Sequence, residues 1–176
     1  MIFQKTKLSG VFVIDIEKLE DNRGFFTTSW NNDIFNQQNI DLKVVESDIS
    51  FNKKRGTIRG LHYETSPYER IKLVRCTRGK VFDVVLDLRQ NSPTFKQWIA
   101  TELTADNYKM NYIPYGCAHG FQTMEDNTEV LYLISKNYNS EYTHTIRWND
   151  VAFKINWPLT PTVISENDST CLDFID

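Results

Sequence analysis

Short apolar stretches that alternate with polar residues, each ended by a turn signal, constrain the fold of this 176-residue chain. In the clearest, residues 81–88, valine and aspartate fall on one face and Phe82, Val84 and Leu86 on the other. A period of two is typical of β-strands, and about ten such stretches occur with scarcely any helical pattern. The sequence therefore predicts an all-β fold, an antiparallel jelly-roll sandwich or barrel with a few short peripheral helices.

Residues 1–176 are expected to form a single domain, because no repeat, low-complexity tract or linker interrupts them. The net charge of −3 and the mixed charges argue against nucleic-acid binding. No apolar run is long enough to span a membrane and no signal-peptide pattern opens the chain, so no membrane partner is expected. Cys76, Cys117 and Cys171 form an odd, widely spaced set, which argues against a disulfide framework and favours a reducing cytoplasm.

The stretch 55–64 combines two glycines, three charged side chains and one of only three histidines. It has the pattern of a β-strand in which His62 and Glu64 share one face and Arg59 lies on the other. A histidine directed into a β-sandwich is either a catalytic group or a core residue hydrogen-bonded to its neighbours. The residues alone leave both interpretations open.

The other two histidines differ in their surroundings. His144 lies in a polar loop, whereas His119 stands near the end of residues 114–121, which have the pattern of a turn. The spacing Pro114-x-Gly116-x-x-His119 resembles the second motif of the cupins, which are jelly-roll barrels. This resemblance implies that His119 faces the interior of the fold.

A divalent metal is one possible occupant of such an interior. His62, Glu64 and His119 are chemically adequate metal ligands, which makes a metal-dependent cupin enzyme an alternative function. The second histidine of the first cupin motif is absent, however, because Glu64 stands in its place. A site without a metal is therefore favoured.

Seven segments, taken in order, carry a more specific resemblance. They are Asp-Asn-Arg-Gly-Phe-Phe at 21–26, Gly-Thr-Ile-Arg-Gly-Leu-His-Tyr at 56–63, Lys-Leu-Val-Arg-Cys at 72–76, Gly-Lys-Val-Phe-Asp-Val at 79–84, Ser-Pro-Thr-Phe at 92–95, Ile-Pro-Tyr-Gly-Cys-Ala-His-Gly-Phe at 113–121 and Trp-Asn-Asp at 148–150. Together they resemble the dTDP-4-dehydrorhamnose 3,5-epimerases, which are nucleotide-sugar epimerases with a cupin-type jelly-roll fold. The resemblance extends to Asp168 and covers nearly the whole chain.

The resemblance implies a substrate that is a nucleotide diphosphate sugar with a ketone at C4. Hydrogens on C3 and C5 are adjacent to that ketone, so removing one leaves an enolate, and reprotonation from the opposite face inverts the carbon. The reaction needs a base, an acid across the ring and a positive group for the oxyanion. It needs no redox cofactor and no metal, so no cofactor is expected.

The resemblance assigns four catalytic roles. His62 would be the base, and Asp168 would pair with its imidazole, fix its tautomer and stabilise its charged form. Lys72 would donate to the developing enolate oxygen. Tyr132 would return a proton from the far face, although its apolar strand would by itself favour a core tyrosine.

Substrate binding is implied for a second set of residues. Arg59 and Arg23 would bind the diphosphate, because guanidinium groups match phosphate oxygens. His119 would contact the sugar or a phosphate, and Phe26 and Tyr138 would sandwich the base. Arg23 and Phe26 would reach over from a partner subunit through an exchanged N-terminal strand, which predicts a homodimer.

Three further positions are placed near the ligand. Ser47 and Asp48 are assigned to substrate binding, and Asp83 is expected on the same inner face as a partner for Lys72 or His62, with an edge position as the alternative.

The chain departs from the family pattern among the binding positions. The family usually has Glu at Thr28, Gln-Asp-Asn at 47–49, Gln at Glu64 and Glu near Thr143. Losing several buried hydrogen-bonding groups would change recognition by several kcal/mol. We therefore expect an epimerase of the same mechanism whose nucleotide or sugar differs, or which inverts only one of the two carbons.

Two points remain for the structure and for experiment. Arg59 and His62 fall on opposite faces of a regular strand, yet both are assigned to one site, so the sequence predicts an irregularity near Gly60. A cupin that binds a sugar nucleotide without catalysis is a further alternative to the enzyme.

Overall fold

The computed structural model describes residues 1–175, and most of its regular structure is β-strand. The strands are β1 (Ile2–Lys5), β2 (Phe12–Asp15), β3 (Leu19–Asp21), β4 (Gly24–Phe26), β5 (Glu46–Asn52), β6 (Ile58–Glu64), β7 (Lys72–Arg78), β8 (Lys80–Asp87), β9 (Trp98–Thr104), β10 (Met110–Ile113), β11 (Cys117–Thr123), β12 (Thr128–Ile134) and β13 (Thr143–Thr145). Two short helices accompany them, α1 (Asn32–Gln37) and α2 (Glu166–Thr170). The all-β prediction is confirmed.

Two antiparallel sheets form the body of the fold. The first has six strands in the order β1-β2-β10-β7-β12-β5, and the second has five in the order β13-β6-β11-β8-β9. Strands β3 and β4 pair only with each other, as a hairpin. Since each sheet ends in edge strands, the jelly roll is an open sandwich rather than a closed barrel.

The principal core lies between the two sheets. Val74 and Val130 from the six-stranded sheet pack with Val85 and Phe121 from the five-stranded sheet, and all four are almost completely buried. On β8 the valines at 81 and 85 face this core, whereas Val84 and Leu86 belong to the cluster on the outer side of the sheet. The two-residue alternation predicted for β8 is therefore confirmed.

Both sheets are also covered on their outer faces. Phe35 of α1 packs on the six-stranded sheet with Ile14 and Leu73, and Phe153 of the C-terminal part of the chain packs on the five-stranded sheet. Within residues 1–175, no helix has the length and apolar character needed to cross a membrane.

The strand that carries His62 is irregular at Gly60, as predicted. His62 pairs with His119 of β11 and Arg59 pairs with Phe121, so three steps along β6 match two along β11. This bulge brings Arg59 to the side on which His62 lies. Gly60 has a φ of +103°, and a Cβ atom there would lie 2.6 Å from the carbonyl oxygen of His119.

The interpretation of residues 114–121 as a turn was wrong beyond Gly116. Residues from Cys117 onward form β11, a completely buried strand, so His119 lies within a strand rather than at the exit of a turn. Gly120 suggested a turn, but it stands in the strand because an added Cβ would lie 2.6 Å from the carbonyl oxygen of Arg59. Gly120 leaves room for the bulged backbone of the neighbouring strand β6. The sequence pattern does not show this requirement, because it arises from a residue far away in the chain.

Candidate active site

A large cavity opens between the two sheets at one end of the sandwich, with a volume of about 1270 Å³. Its walls come from β6 and β11 of the five-stranded sheet and from β5, β7 and β12 of the six-stranded sheet. The segments around β13 and α2 complete the rim. The sequence-assigned residues that line it are Ser47, Asp48, Arg59, His62, Lys72, His119, Tyr132, Tyr138 and Asp168.

His62 and Asp168 form a hydrogen-bonded pair on one wall of this cavity. The imidazole Nε2 lies 2.7 Å from Asp168 Oδ1, and Asp168 Oδ2 accepts a hydrogen bond of 3.0 Å from the Gly60 amide. The bulge in β6 thus supplies a backbone donor for the same carboxylate. Asp168 is brought there by α2, whose N-cap Ser165 accepts from the Asp168 amide.

The ionisation state of Asp168 determines which imidazole nitrogen of His62 carries a proton. Burial would raise this pKa, but the hydrogen bonds and charge of His62 and the Gly60 amide lower it below the ordinary value of an aspartate. The carboxylate is therefore ionised at neutral pH and accepts the proton of Nε2. This makes Nδ1 of His62 the nitrogen that can take a proton from a ligand.

Tyr132 stands on the other sheet, on β12, and packs edge-to-face against the His119 ring with centroids 5.9 Å apart. Burial, reinforced by the charges of Asp83 and Asp48, raises the pKa of the Tyr132 hydroxyl well above its ordinary value. The phenol therefore keeps its proton near neutral pH and is available as a proton donor.

Lys72, at the start of β7, is buried and forms an ion pair with Glu64 at 3.1 Å. The same Glu64 oxygen accepts from Arg70 Nη2 at 2.7 Å and Nε at 3.0 Å. Burial would raise the pKa of Glu64, but Lys72 and Arg70 lower it below the ordinary value of a glutamate. Arg70 continues the network to Glu46 at 3.1 Å.

His119 has an aspartate partner of its own. Its Nε2 lies 2.7 Å from Asp83 Oδ2, and Asp83 Oδ1 accepts a hydrogen bond of 2.7 Å from the side-chain Nδ2 of Asn111. The prediction that Asp83 partners Lys72 or His62, and its assignment to substrate binding, are corrected by this geometry. Asp83 is completely buried behind His119, so it reaches the cavity only through that imidazole.

Arg59 and Tyr138 are each held by a polar contact. Arg59 Nε donates to the buried Asn52 side chain at 2.7 Å. The amide of Tyr138 donates to Glu46 at 3.1 Å, and the Arg70 guanidinium lies 5.4 Å from the Tyr138 ring centroid. Tyr138 therefore has a cation on one face of its ring and remains largely exposed at the cavity mouth.

The rim strand β5 contributes an acidic pair. Burial, the charge of Glu46 and a hydrogen bond with Glu46 raise the pKa of Asp48, and Arg70 partly opposes this rise. Ser47, like Asp48, lines the cavity, so the structure brings both residues to the predicted site.

Arg23 and Phe26 do not join the cavity of their own chain. Both lie on the β3–β4 hairpin, where Arg23 pairs with Asp21 and Phe26 is 73% exposed. A large exposed aromatic ring on the surface is typical of an interaction site.

The geometry does not favour a metal centre made from His62, Glu64 and His119. Each of the three is engaged elsewhere: the histidines with separate aspartates, and Glu64 with two cations. In the part of the chain that the structure describes, no three His, Cys, Asp or Glu side chains form a group able to hold a metal ion.

Sequence reasoning missed Arg70 and Glu46, which organise the charges around Lys72. In sequence, Arg70 has the pattern of a solvated charge in a turn. Its position two residues before Lys72 could have identified it, because alternate residues at a strand start share a face.

Comparison with known proteins gives one consistent group of relatives. The family model for dTDP-4-dehydrorhamnose 3,5-epimerase matches residues 5–176. The enzyme of that name from Sinorhizobium fredii is 38% identical over 171 residues, which cover 97% of this chain and 88% of the relative.

Solved structures agree with this result. The Bacillus anthracis dTDP-4-dehydrorhamnose 3,5-epimerase with bound TDP and PPi has a TM-score of 0.95 and 34% identity, covering 98% of this chain and 99% of that one. The Legionella pneumophila dTDP-6-deoxy-D-glucose-3,5-epimerase was solved in complex with dTDP-4-keto-L-rhamnose. It has a TM-score of 0.89 and 32% identity, and the match covers 95% of this chain and 89% of that one. The fold is thus shared with these enzymes.

Proposed function

The chain belongs to the dTDP-4-dehydrorhamnose 3,5-epimerase family, and from this membership we infer that its cavity binds a nucleotide diphosphate 4-keto sugar. The protein is an isomerase, a nucleotide-sugar epimerase that inverts a carbon next to the ketone through an enolate. One observation carries the assignment of roles. His62 of the five-stranded sheet, paired with Asp168 of α2, and a neutral tyrosine of the six-stranded sheet line the same cavity.

His62 is the base in this proposal. Nδ1 takes the hydrogen of C3 or C5 as a proton, and the electron pair of the broken C–H bond becomes the enolate, with its negative charge on the C4 oxygen. Asp168, ionised and hydrogen-bonded to Nε2, stabilises the imidazolium that results. Lys72 donates to the enolate oxygen from β7.

Tyr132 is the acid that completes the inversion. It delivers its phenolic proton to the carbon from the face opposite His62, because the two residues lie on opposite sheets. Its raised pKa keeps that proton in place until the basic enolate carbon is presented.

The remaining assignments concern binding. Arg59, directed into the cavity by the bulge and held by Asn52, provides the guanidinium for the diphosphate. His119, fixed by Asp83, contacts the sugar or a phosphate, and Tyr138 stacks on the base at the cavity mouth.

A homodimer would bring Arg23 and Phe26 to the site. The hairpin that carries them pairs with no other strand of its own chain, and Phe26 is exposed enough to cover the base in a partner's cavity. A cytoplasmic location is proposed as well, since the chain's three cysteines are free thiols and two of them are buried.

Subunit exchange tests the dimer. Phe26→Ala is expected to raise KM roughly tenfold, because a stacking aromatic ring is lost. In an equal mixture co-refolded with His62→Ala, half of the dimers are mixed, and one of the two cavities of each has both His62 and a partner's Phe26. Below KM, the mixture should therefore reach about a quarter of wild-type activity. If Phe26 acts in its own chain or the protein is a monomer, the mixture will show no recovery.

Substrate choice is tested by solvent exchange. The protein is incubated in deuterated water with 4-keto-6-deoxyhexoses carrying dTDP, CDP, GDP or UDP, and deuterium at C3 and C5 is followed by NMR. We expect exchange at one or both carbons and a preferred nucleotide or sugar other than that of the dTDP-6-deoxyhexose, because Ser47 and Ile49 line the cavity at binding positions. Rapid exchange at both carbons with the dTDP sugar alone would contradict altered specificity. Absence of exchange with every sugar would favour a binding protein without catalysis.

A further inference from the structure

Lys72 belongs to a cluster of four charges, three of which are buried. Glu64 Oε1 accepts contacts from Arg70 Nη2 at 2.7 Å, Arg70 Nε at 3.0 Å and Lys72 Nζ at 3.1 Å. These three side chains are 3%, 8% and 7% exposed, and Glu46 completes the cluster through Arg70 Nη1 at 3.1 Å. A single carboxylate oxygen of Glu64 therefore contacts two buried cations, Arg70 and Lys72.

Such an environment disfavours the charged form of a lysine. Burial removes the hydration of the ammonium, and the neighbouring Arg70 adds like-charge repulsion, and both effects lower the pKa of Lys72. Glu64 opposes them by its charge and by its hydrogen bond. Removing one partner of a buried ion pair destabilises a protein strongly, because the other charge stays buried without compensation.

Other titratable groups face the same region from every wall. Arg70 precedes β7, Glu46 and Asp48 come from β5, Tyr132 from β12 and His119 from β11. Glu46 directs its carboxylate to Arg70 and to the Tyr138 amide, and His119 is paired with Asp83. Glu64 is thus the carboxylate that contacts the Lys72 ammonium directly.

We propose that Glu64 is a positioning residue for the reaction: it holds Lys72 as an ammonium beside the enolate oxygen, and Arg70 and Glu46 hold Glu64 in place. An ammonium has three N–H donors, and Glu64 takes one of them, which fixes the orientation of the others. This inference rests on the role given to Lys72 in the proposed function. It goes further in assigning the buried Glu64–Arg70 pair a part in catalysis.

Glu64→Gln tests the proposal: it introduces the glutamine that the family usually has at this position, keeps the size and the acceptor oxygen, and leaves Lys72 and Arg70 without the carboxylate charge that they share in this chain. We expect kcat to fall roughly tenfold to a hundredfold with KM nearly unchanged. The alkaline limb of the kcat–pH profile should move to lower pH by about one unit or more, since a lysine without its counter-charge loses its proton earlier. Glu102→Gln is the matched control, because Glu102 pairs with Lys80 at 3.4 Å on the surface and is 63% exposed.

A second readout does not depend on turnover. Competitive labelling with acetic anhydride across pH, read by peptide mass spectrometry, gives the titration midpoint of the Lys72 amine. The midpoint should shift to lower pH in Glu64→Gln and stay in place in Glu102→Gln. Glu64→Asp keeps the charge, so its midpoint should lie closer to the wild-type value than to that of Glu64→Gln.

The outcomes separate this proposal from the proposed function. An unchanged midpoint and an unchanged kcat in a folded Glu64→Gln protein would overturn the role of Glu64. If Glu64→Gln does not fold, a Glu64→Asp midpoint shifted far below the wild-type value would overturn it instead. Loss of exchange in the wild-type protein would overturn the epimerase assignment, while the labelling result would still decide whether Glu64 holds Lys72 charged.

Discussion

Replacing His62 with alanine is expected to lower kcat by roughly a hundred- to ten-thousand-fold, because the proposed base is removed. Deuterium incorporation at both C3 and C5 should fall in parallel, since no enolate forms without proton abstraction. Both quantities are measured by NMR in deuterated water under saturating substrate.

Controls separate lost chemistry from lost structure. His62→Asn keeps a polar group beside Asp168 without a basic nitrogen, so it should be as inactive as the alanine variant while retaining the wild-type melting temperature. Imidazole added to His62→Ala should restore part of the exchange, because the His62 side chain is 38% exposed and opens to the cavity. Activity within about threefold of wild type in His62→Ala would exclude His62 as the base.

Replacing Gly60 with alanine is expected to destabilise the protein by about 2–4 kcal/mol, one of the larger effects available in this fold. The added Cβ would lie 2.6 Å from the His119 carbonyl oxygen and 2.8 Å from the Gly120 Cα, both of which are backbone atoms that cannot rotate away. The positive φ of Gly60 adds strain for any residue with a side chain. Urea unfolding followed by circular dichroism measures the loss.

Gly24→Ala is the matched control for this experiment. Gly24 also has a positive φ, of +125°, but an added Cβ there would have nothing within 4 Å. It should therefore report the backbone strain alone, and Gly60→Ala should be clearly the less stable of the two. Equal unfolding free energies for both variants would show that the close approach of β6 and β11 is not what requires Gly60.

Much of the fold could be predicted because it depends on local pattern. Alternation placed Val85 toward the inter-sheet core and Val84 away from it, and the structure agrees. The irregularity at Gly60 was also predictable, since the residues assigned to one site stood an odd number of positions apart. When two residues of one site are an odd number of positions apart on a strand, the strand must be irregular between them to bring both to the same face.

What could not be predicted depends on pairs that are distant in sequence. Gly120 is required by Arg59 of the neighbouring strand, so the chain at 114–121 has the composition of a turn although half of it is a strand. Asp83 was correctly placed on the inner face, but its partner His119 is set by the β8–β11 register. The Arg70–Glu64 pair depends on the same kind of information, because a linear sequence does not show which charges become buried.

The two-sheet construction has a consequence for the distance between the proposed proton acceptor, His62, and the proposed proton donor, Tyr132. Sheets packed face to face lie about 10 Å apart, a separation set by the side chains between them. His62 is carried by one sheet and Tyr132 by the other, so the core residues Val74, Val85 and Phe121 help to fix the distance between these two side chains. In the proposed mechanism the sugar ring lies in this gap with one face toward each sheet, so the thickness of the sandwich would limit the size of the ring that both residues can reach.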